Sequence, residues 1–168
     1  TQRSTIVKVL DQAGIGLSEV SAIGITNQRE STIAWNRETG EALCPAINWQ
    51  CRRTAGFCDE LKEEGFDELI RNRTGLVTDP YFSGTKMHWI LQNVPEAANL
   101  ARQGKLCFGT VDSWLIWKLS GGTTHAIEIS NASRTLVFDI HKCEWDSEIL
   151  SRFGIPPESL PEVVPSSG

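Results

Sequence analysis

An α/β layered domain is the fold class this sequence predicts, and three observations carry it. Short apolar or alternating runs recur at 22–26, 31–35, 106–109 and 135–140, bounded by polar or glycine-bearing stretches. Between them lie segments with apolar residues at helical spacing, clearest at Met87, Ile90, Leu91 and Val94. The two patterns alternate along the chain, as they do where strands are layered against helices. With 168 residues there is enough chain to bury a sizeable single core.

The first helix is expected over 4–13, where Ile6, Leu10 and Ala13 share a face and Gly14 supplies the stop. A helix with no strand before it is unusual for an α/β unit and reads as a chain that starts mid-fold. Residues 22–26 follow as a buried strand, with Ile23 and Ile25 alternating with small residues, and it delivers Arg29 and Glu30 side by side. A second strand over 31–35 and the loop 36–40, with Gly40 in a left-handed position, make a hairpin. Residues 45–49 are a third extended piece ending at Trp49. Helices are expected over 54–64, 66–72, from Ser83 to the stop at Pro95, and over 95–103, with 75–80 as a linker. The strand 106–109 feeds a helix over 110–119 whose apolar face is Val111, Trp114, Leu115 and Leu119. A further strand is expected over 135–140. Asp146 is placed to cap a helix over 147–153 that Gly154 closes. Pro156, Pro157 and Pro161 end the globular part.

Twenty-one acidic against 16 basic residues give a net charge of −5, which argues against nucleic acid as a partner, because phosphate neutralisation needs a basic surface. No apolar run approaches the ~20 residues that span a bilayer, and residues 1–4 have no signal-peptide form. The five cysteines are odd in number and without Cys-x-x-Cys spacing, so reduced cytoplasmic thiols are expected rather than a zinc site or disulfide framework. His88, His125 and His141 lack metal spacing and a nucleophile partner.

Four residues stand out as candidates for chemistry. Arg29 offers a planar fork of donors and Glu30 a pair of acceptors, which is what gripping vicinal hydroxyls needs; an ion pair on the surface is the plainer reading. Trp49 is either a packing residue at a rim or a flat apolar wall for the carbon skeleton of a polyol. Tyr81, the single tyrosine, follows Pro80 at the end of the linker, where it either holds its hydroxyl in a cleft or plugs a gap between layers. Ser83-Gly84-Thr85-Lys86 imitates the end of a phosphate loop, but Thr85 separates Gly84 from Lys86 and Pro80 lacks an N–H, so the run reads as a helix start.

Several runs together resemble the glycerol kinases of the FGGY carbohydrate kinase family: Gly24-Ile-Thr-Asn-Gln-Arg-Glu30, Trp49-Gln-Cys-Arg-Arg-Thr54, residues 75–86 and 108–118, Asn131-Ala-Ser-Arg-Thr135 and Leu160-Pro-Glu-Val163. The stretch 81–93 also matches the first signature of the wider family, with Lys86 and Trp89 in place. The resemblance implies a ribonuclease-H-like, actin-type ATPase domain that is partial and lacks its first strands. It implies ATP-dependent phosphorylation of glycerol to glycerol 3-phosphate in the cytoplasm, with ATP and Mg2+ as cofactors. By match of motif, Arg29 and Glu30 would hydrogen-bond glycerol hydroxyls, Trp49 would pack on its carbons and Tyr81 would donate a further hydrogen bond. The family's Asp-Gly-Thr-Thr hairpin would precede residue 1, and its general-base Asp and adenosine-binding domain would follow residue 168. The chain is therefore expected to hold the glycerol-clamping part only, with 1–164 in the N-terminal domain and 165–168 beginning a linker or strand. Alone it is expected to be inactive, with no catalytic, nucleotide-binding or metal-binding residue. Glu128, Ile129 and Asn48 depart from the usual glycerol kinase residues. A pentulose-type sugar kinase and a non-catalytic polyol-binding module are the alternatives, and a homo-oligomer stays open.

Overall fold

The computed structural model describes residues 2–167. Helix α1 spans Gln2–Ala13 and ends where Gly14, at φ 66°, turns the chain. One turn of 3-10 helix, Leu17–Glu19, follows. Strand β1, Ile33–Asn36, turns through 37–40 into an antiparallel bridge between Trp35 and Ala42, with Gly40 at φ 65° as the loop spacing requires. Helices α2 (Ala55–Glu63) and α3 (Phe66–Thr74) are separated by Gly65 and closed by Gly75, both left-handed. Helices α4 (Ser83–Asn93) and α5 (Pro95–Arg102) meet at Val94, where Pro95 opens the second. Strand β2 (Leu106–Gly109) leads into α6 (Val111–Leu119), then β3 (Ala126–Glu128) and the short α7 (Ile129–Ala132). Strands β4 (Phe138–Asp139) and β5 (Glu144–Trp145) precede α8 (Ser147–Phe153), which Asp146 caps by accepting the N–H groups of Glu148 and Ile149. Strand β6 (Glu162–Val164) ends the regular structure.

Among the described residues the strands form three separate pairs. β1 and β2 are antiparallel, β4 and β5 are antiparallel, and β3 lies parallel to β6 across a long helical crossover. Alternation along β1 and β2 divides the interior. Ala34, Leu106 and Phe108 enter the main core with Leu61, Ile70, Ile90 and Phe153, whereas Ile33, Trp35 and Cys107 face a second cluster closed by Trp117. His125 stands edge-on to Trp35 and Trp117 there, and burial pushes its pKa down to about 4.

Four expectations need correction. Residues 22–26 are not a strand but irregular chain, with Ile23 exposed and no backbone partner among the described residues; a strand needs a neighbour for its N–H and C=O groups. The expected strand over 135–140 shrinks to β4, because buried Leu136 sits at φ 72° and breaks the extended run. Helix α6 buries Ser113 and Trp117 rather than Leu115 and Leu119. Gly109 lets that face come close, since a Cβ there would lie 2.6 Å from that of Ser113. The prolines do not end the globular part, as β6 lies beyond them and pairs with β3, a strand the sequence did not announce.

Candidate polyol site

The loop carrying Trp49 and the loop carrying Glu30 are tied together by backbone bonds in both directions between Thr32 and Ile47, at 2.9 and 3.0 Å. Trp49 sits in a turn that Asn48 holds, its Oδ1 accepting the Gln50 N–H at 3.1 Å. The departure at Asn48 thus has a local use. Tyr81 is fixed from behind, because the Asp79 carboxylate accepts its backbone N–H at 2.8 Å. Its ring lies 5.7 Å from Trp49, centroid to centroid, and 5.3 Å from Phe82.

Lys86 joins these pieces. It projects from the first turn of α4, is fully buried, and donates to the backbone carbonyls of Glu30 (2.9 Å), Phe82 (3.3 Å) and Tyr81. Three donors meet three acceptors, so the ammonium is satisfied. Burial pushes its pKa down to about 8, against the pull of Glu30. The Ser83–Lys86 run is therefore a helix start, as expected. Gly84 serves close packing: its N–H donates to Thr135 O at 2.6 Å, and a Cβ would meet that oxygen at 2.7 Å.

Glu30 is buried, and its Oε1 accepts from Arg134 Nε at 2.8 Å. The Arg134 guanidinium in turn lies 4.9 Å from the Phe82 ring centroid and 5.8 Å from that of Tyr81. Glu30, Tyr81 and Trp49 thus form one connected set through Arg134 and Lys86. Neither of those two was singled out for the site from the sequence; the signal available was the motif around each.

Arg29 is not part of that connected set. It is exposed, makes no hydrogen bond, ion pair or ring contact among the described residues, and lines a second cleft of about 580 Å³. Asn27, Asp112, Glu128 and Asn131 line the same cleft. Asp112 is buried there, which raises its carboxyl pKa although Thr110 and the Glu128 N–H donate to it. Slight burial pushes Glu128 up, but donors from Ser130, Ser166 and Asn131 hold it at about 2. Glu30 does not line that cleft.

The three histidines are each satisfied by a backbone carbonyl: His88 by Phe153, His125 by Phe108 and His141 by Asn72. All five cysteines are free, with Cys58 buried on α2. No helix is long and apolar enough to cross a membrane among the described residues.

Residues 1–168 match the FGGY family of carbohydrate kinases, N-terminal domain. The chain belongs to that family. Among proteins similar to this FGGY chain, glycerol kinase of Treponema denticola is 56% identical over 160 residues, covering 95% of this chain and 32% of that protein. Glycerol kinase 2 of Thermotoga maritima is 58% identical over 160 residues, covering 95% and 32%. In three dimensions the chain is similar to Plasmodium falciparum glycerol kinase, solved with ADP, at TM-score 0.85 and 35% identity, covering 94% of this chain and 31% of that one. It also shares its fold with gluconate kinase from Lactobacillus acidophilus, at TM-score 0.78 and 23% identity, over 93% of this chain and 30% of that one. The FGGY chain thus spans about a third of the length of the relatives it matches, and its mixed α/β fold is that of the actin-like sugar kinases.

Proposed function

We propose that the polypeptide carrying these residues phosphorylates glycerol in the cytoplasm, and that this chain holds the acceptor. The hydroxyl oxygen at one end of glycerol attacks the γ-phosphorus of ATP; the bond to the bridging oxygen breaks, ADP leaves, and the hydroxyl proton passes to a base. Glu30 accepts a hydrogen bond from a glycerol hydroxyl, Tyr81 donates one, and Trp49 packs against the carbons. Arg29 swings from its cleft to donate a second charged contact. Phosphoryl transfer asks mostly for positioning, which such a clamp provides. The observation that carries the reading is the buried Glu30 joined to the Tyr81–Trp49 aromatic pair, in a chain more than half identical to glycerol kinases.

ATP would supply the phosphoryl group, and Mg2+ would neutralise its charge. We assign both to the part of the relatives' length that this chain does not span. The test is ADP release by the full-length protein with glycerol, gluconate and xylulose as acceptors. Glycerol is expected to give the highest kcat/KM; no glycerol-dependent release would overturn the proposal.

A further inference from the structure

Arg134 is a positioning residue of the polyol clamp: we infer that it holds the Glu30 carboxylate in the one orientation that leaves an oxygen for the substrate. This rests on the polyol-kinase reading above and adds a residue to it. A carboxylate has acceptor sites on both oxygens. In Glu30, Oε1 is taken by Arg134 Nε at 2.8 Å, whereas Oε2 accepts no hydrogen bond among the described residues. The glutamate is 4% exposed, so a free oxygen on it is a directed acceptor and not a solvated surface group.

Arg134 is itself held from three sides. Its guanidinium lies over Phe82 and near Tyr81, a geometry that suits a flat cation and not a point charge. Its backbone N–H donates to Asn131 O at 3.0 Å in the turn after α7, and the next residue, Thr135, accepts from Gly84 at the start of α4. Two residues on, Leu136 takes the left-handed conformation at φ 72° while fully buried. That conformation is sparsely populated for a branched side chain and persists only where the surroundings impose it. It turns the chain so that Leu136 enters the core while Arg134 reaches Glu30. Arg134 therefore links the acceptor (Glu30) and the hydroxyl donor (Tyr81) through one rigid group, and a polyol bridging them meets a preset spacing.

The experiment is steady-state kinetics on the full-length protein and its Arg134→Gln and Arg134→Lys variants, each with a thermal melt. Arg134→Gln is expected to raise the KM for the polyol roughly tenfold or more, with kcat and the KM for ATP within about twofold, because the lost interaction is made in the ground state and transition state alike. Arg134→Lys keeps the charge but not the flat fork, and its polyol KM is expected between those of wild type and Arg134→Gln. An unchanged polyol KM in Arg134→Gln would overturn the inference. So would kcat, both KM values and the melting temperature worsening together in both variants, the mark of a merely structural residue. If the wild type prefers another polyol or sugar, the glycerol assignment fails, and the same comparison on the preferred acceptor still decides the role of Arg134.

Discussion

Replacing Lys86 with Met keeps the volume of the side chain and removes its charge, so two opposed contributions are exposed. The ammonium is buried at a desolvation cost: each pKa unit is worth about 1.4 kcal/mol, and a descent from 10.5 to about 8 places roughly 3 kcal/mol against the charged form. Against this stand the hydrogen bonds to the carbonyls of Glu30, Tyr81 and Phe82. Phe82 O also accepts from Thr85 Oγ1 at 3.3 Å, so the Glu30 and Tyr81 carbonyls suffer most when the donor is gone. A buried acceptor stripped of its partner costs about 1–3 kcal/mol, so the Glu30 and Tyr81 carbonyls together cost roughly 2–6 kcal/mol. With roughly 3 kcal/mol of burial cost relieved, Lys86→Met is expected to lie between about 1 kcal/mol more stable and about 3 kcal/mol less stable than wild type at pH 7. The pH dependence has a definite sign. The folded pKa lies below the unfolded one, so between about pH 8 and 10.5 the unfolded chain binds more protons, and this group makes stability rise with pH. Cys107 and Cys58 act in the opposite direction above pH 9, because burial raises their pKa to about 11 and about 12. The difference between wild type and Lys86→Met cancels the thiols. Urea denaturation of both chains from pH 7 to 10 should therefore show the stability of wild type relative to Lys86→Met rising above pH 8. Parallel curves, or a loss at pH 7 well above about 3 kcal/mol, would refute the reasoning.

Arg29→Ala in the full-length protein should lower kcat/KM for glycerol by roughly tenfold or more, as a neutral hydroxyl loses a charged donor; an unchanged value would remove Arg29 from the clamp. A thiol reagent at neutral pH should modify Cys51 and leave Cys58 and Cys107 untouched until the chain unfolds: partial burial pushes Cys51 up, but the N–H and guanidinium of Arg53 more than offset it. Mass spectrometry of the modified peptides decides that ordering. The 168-residue chain alone should show no glycerol-dependent ADP release. It should also self-associate on size-exclusion chromatography, because Val9, Leu17, Ile23 and Leu119 are left exposed around a groove beside α1; a monomer at all concentrations would contradict this.

What could be read from the sequence divides by the range of the interaction that decides it. Helix ends were legible because their causes are local. Gly65 and Gly154 in left-handed conformations, Pro95 at a first turn and Asp146 at a cap each act within four residues. Strands were less so. The apolar rhythm of 22–26 is the same with or without a partner, and only a partner far along the chain makes it a strand. The face of α6 was misjudged for a related reason: apolar spacing favours Leu115 and Leu119, but the approach allowed by Gly109 chooses small Ser113. The candidate site follows the same division. Glu30, Trp49 and Tyr81 are visible as unusual residues at ends of elements, whereas Lys86 reaches Glu30 across 56 residues and Arg134 reaches it across 104. Neither separation leaves a periodic trace. What sequence does carry there is the demand for compensation: a glutamate placed among apolar runs has to find cations, since burying it alone would be prohibitive. For the Glu30 carboxylate the cation is Arg134, whereas Lys86 serves the Glu30 backbone carbonyl, a demand that no side-chain pattern announces.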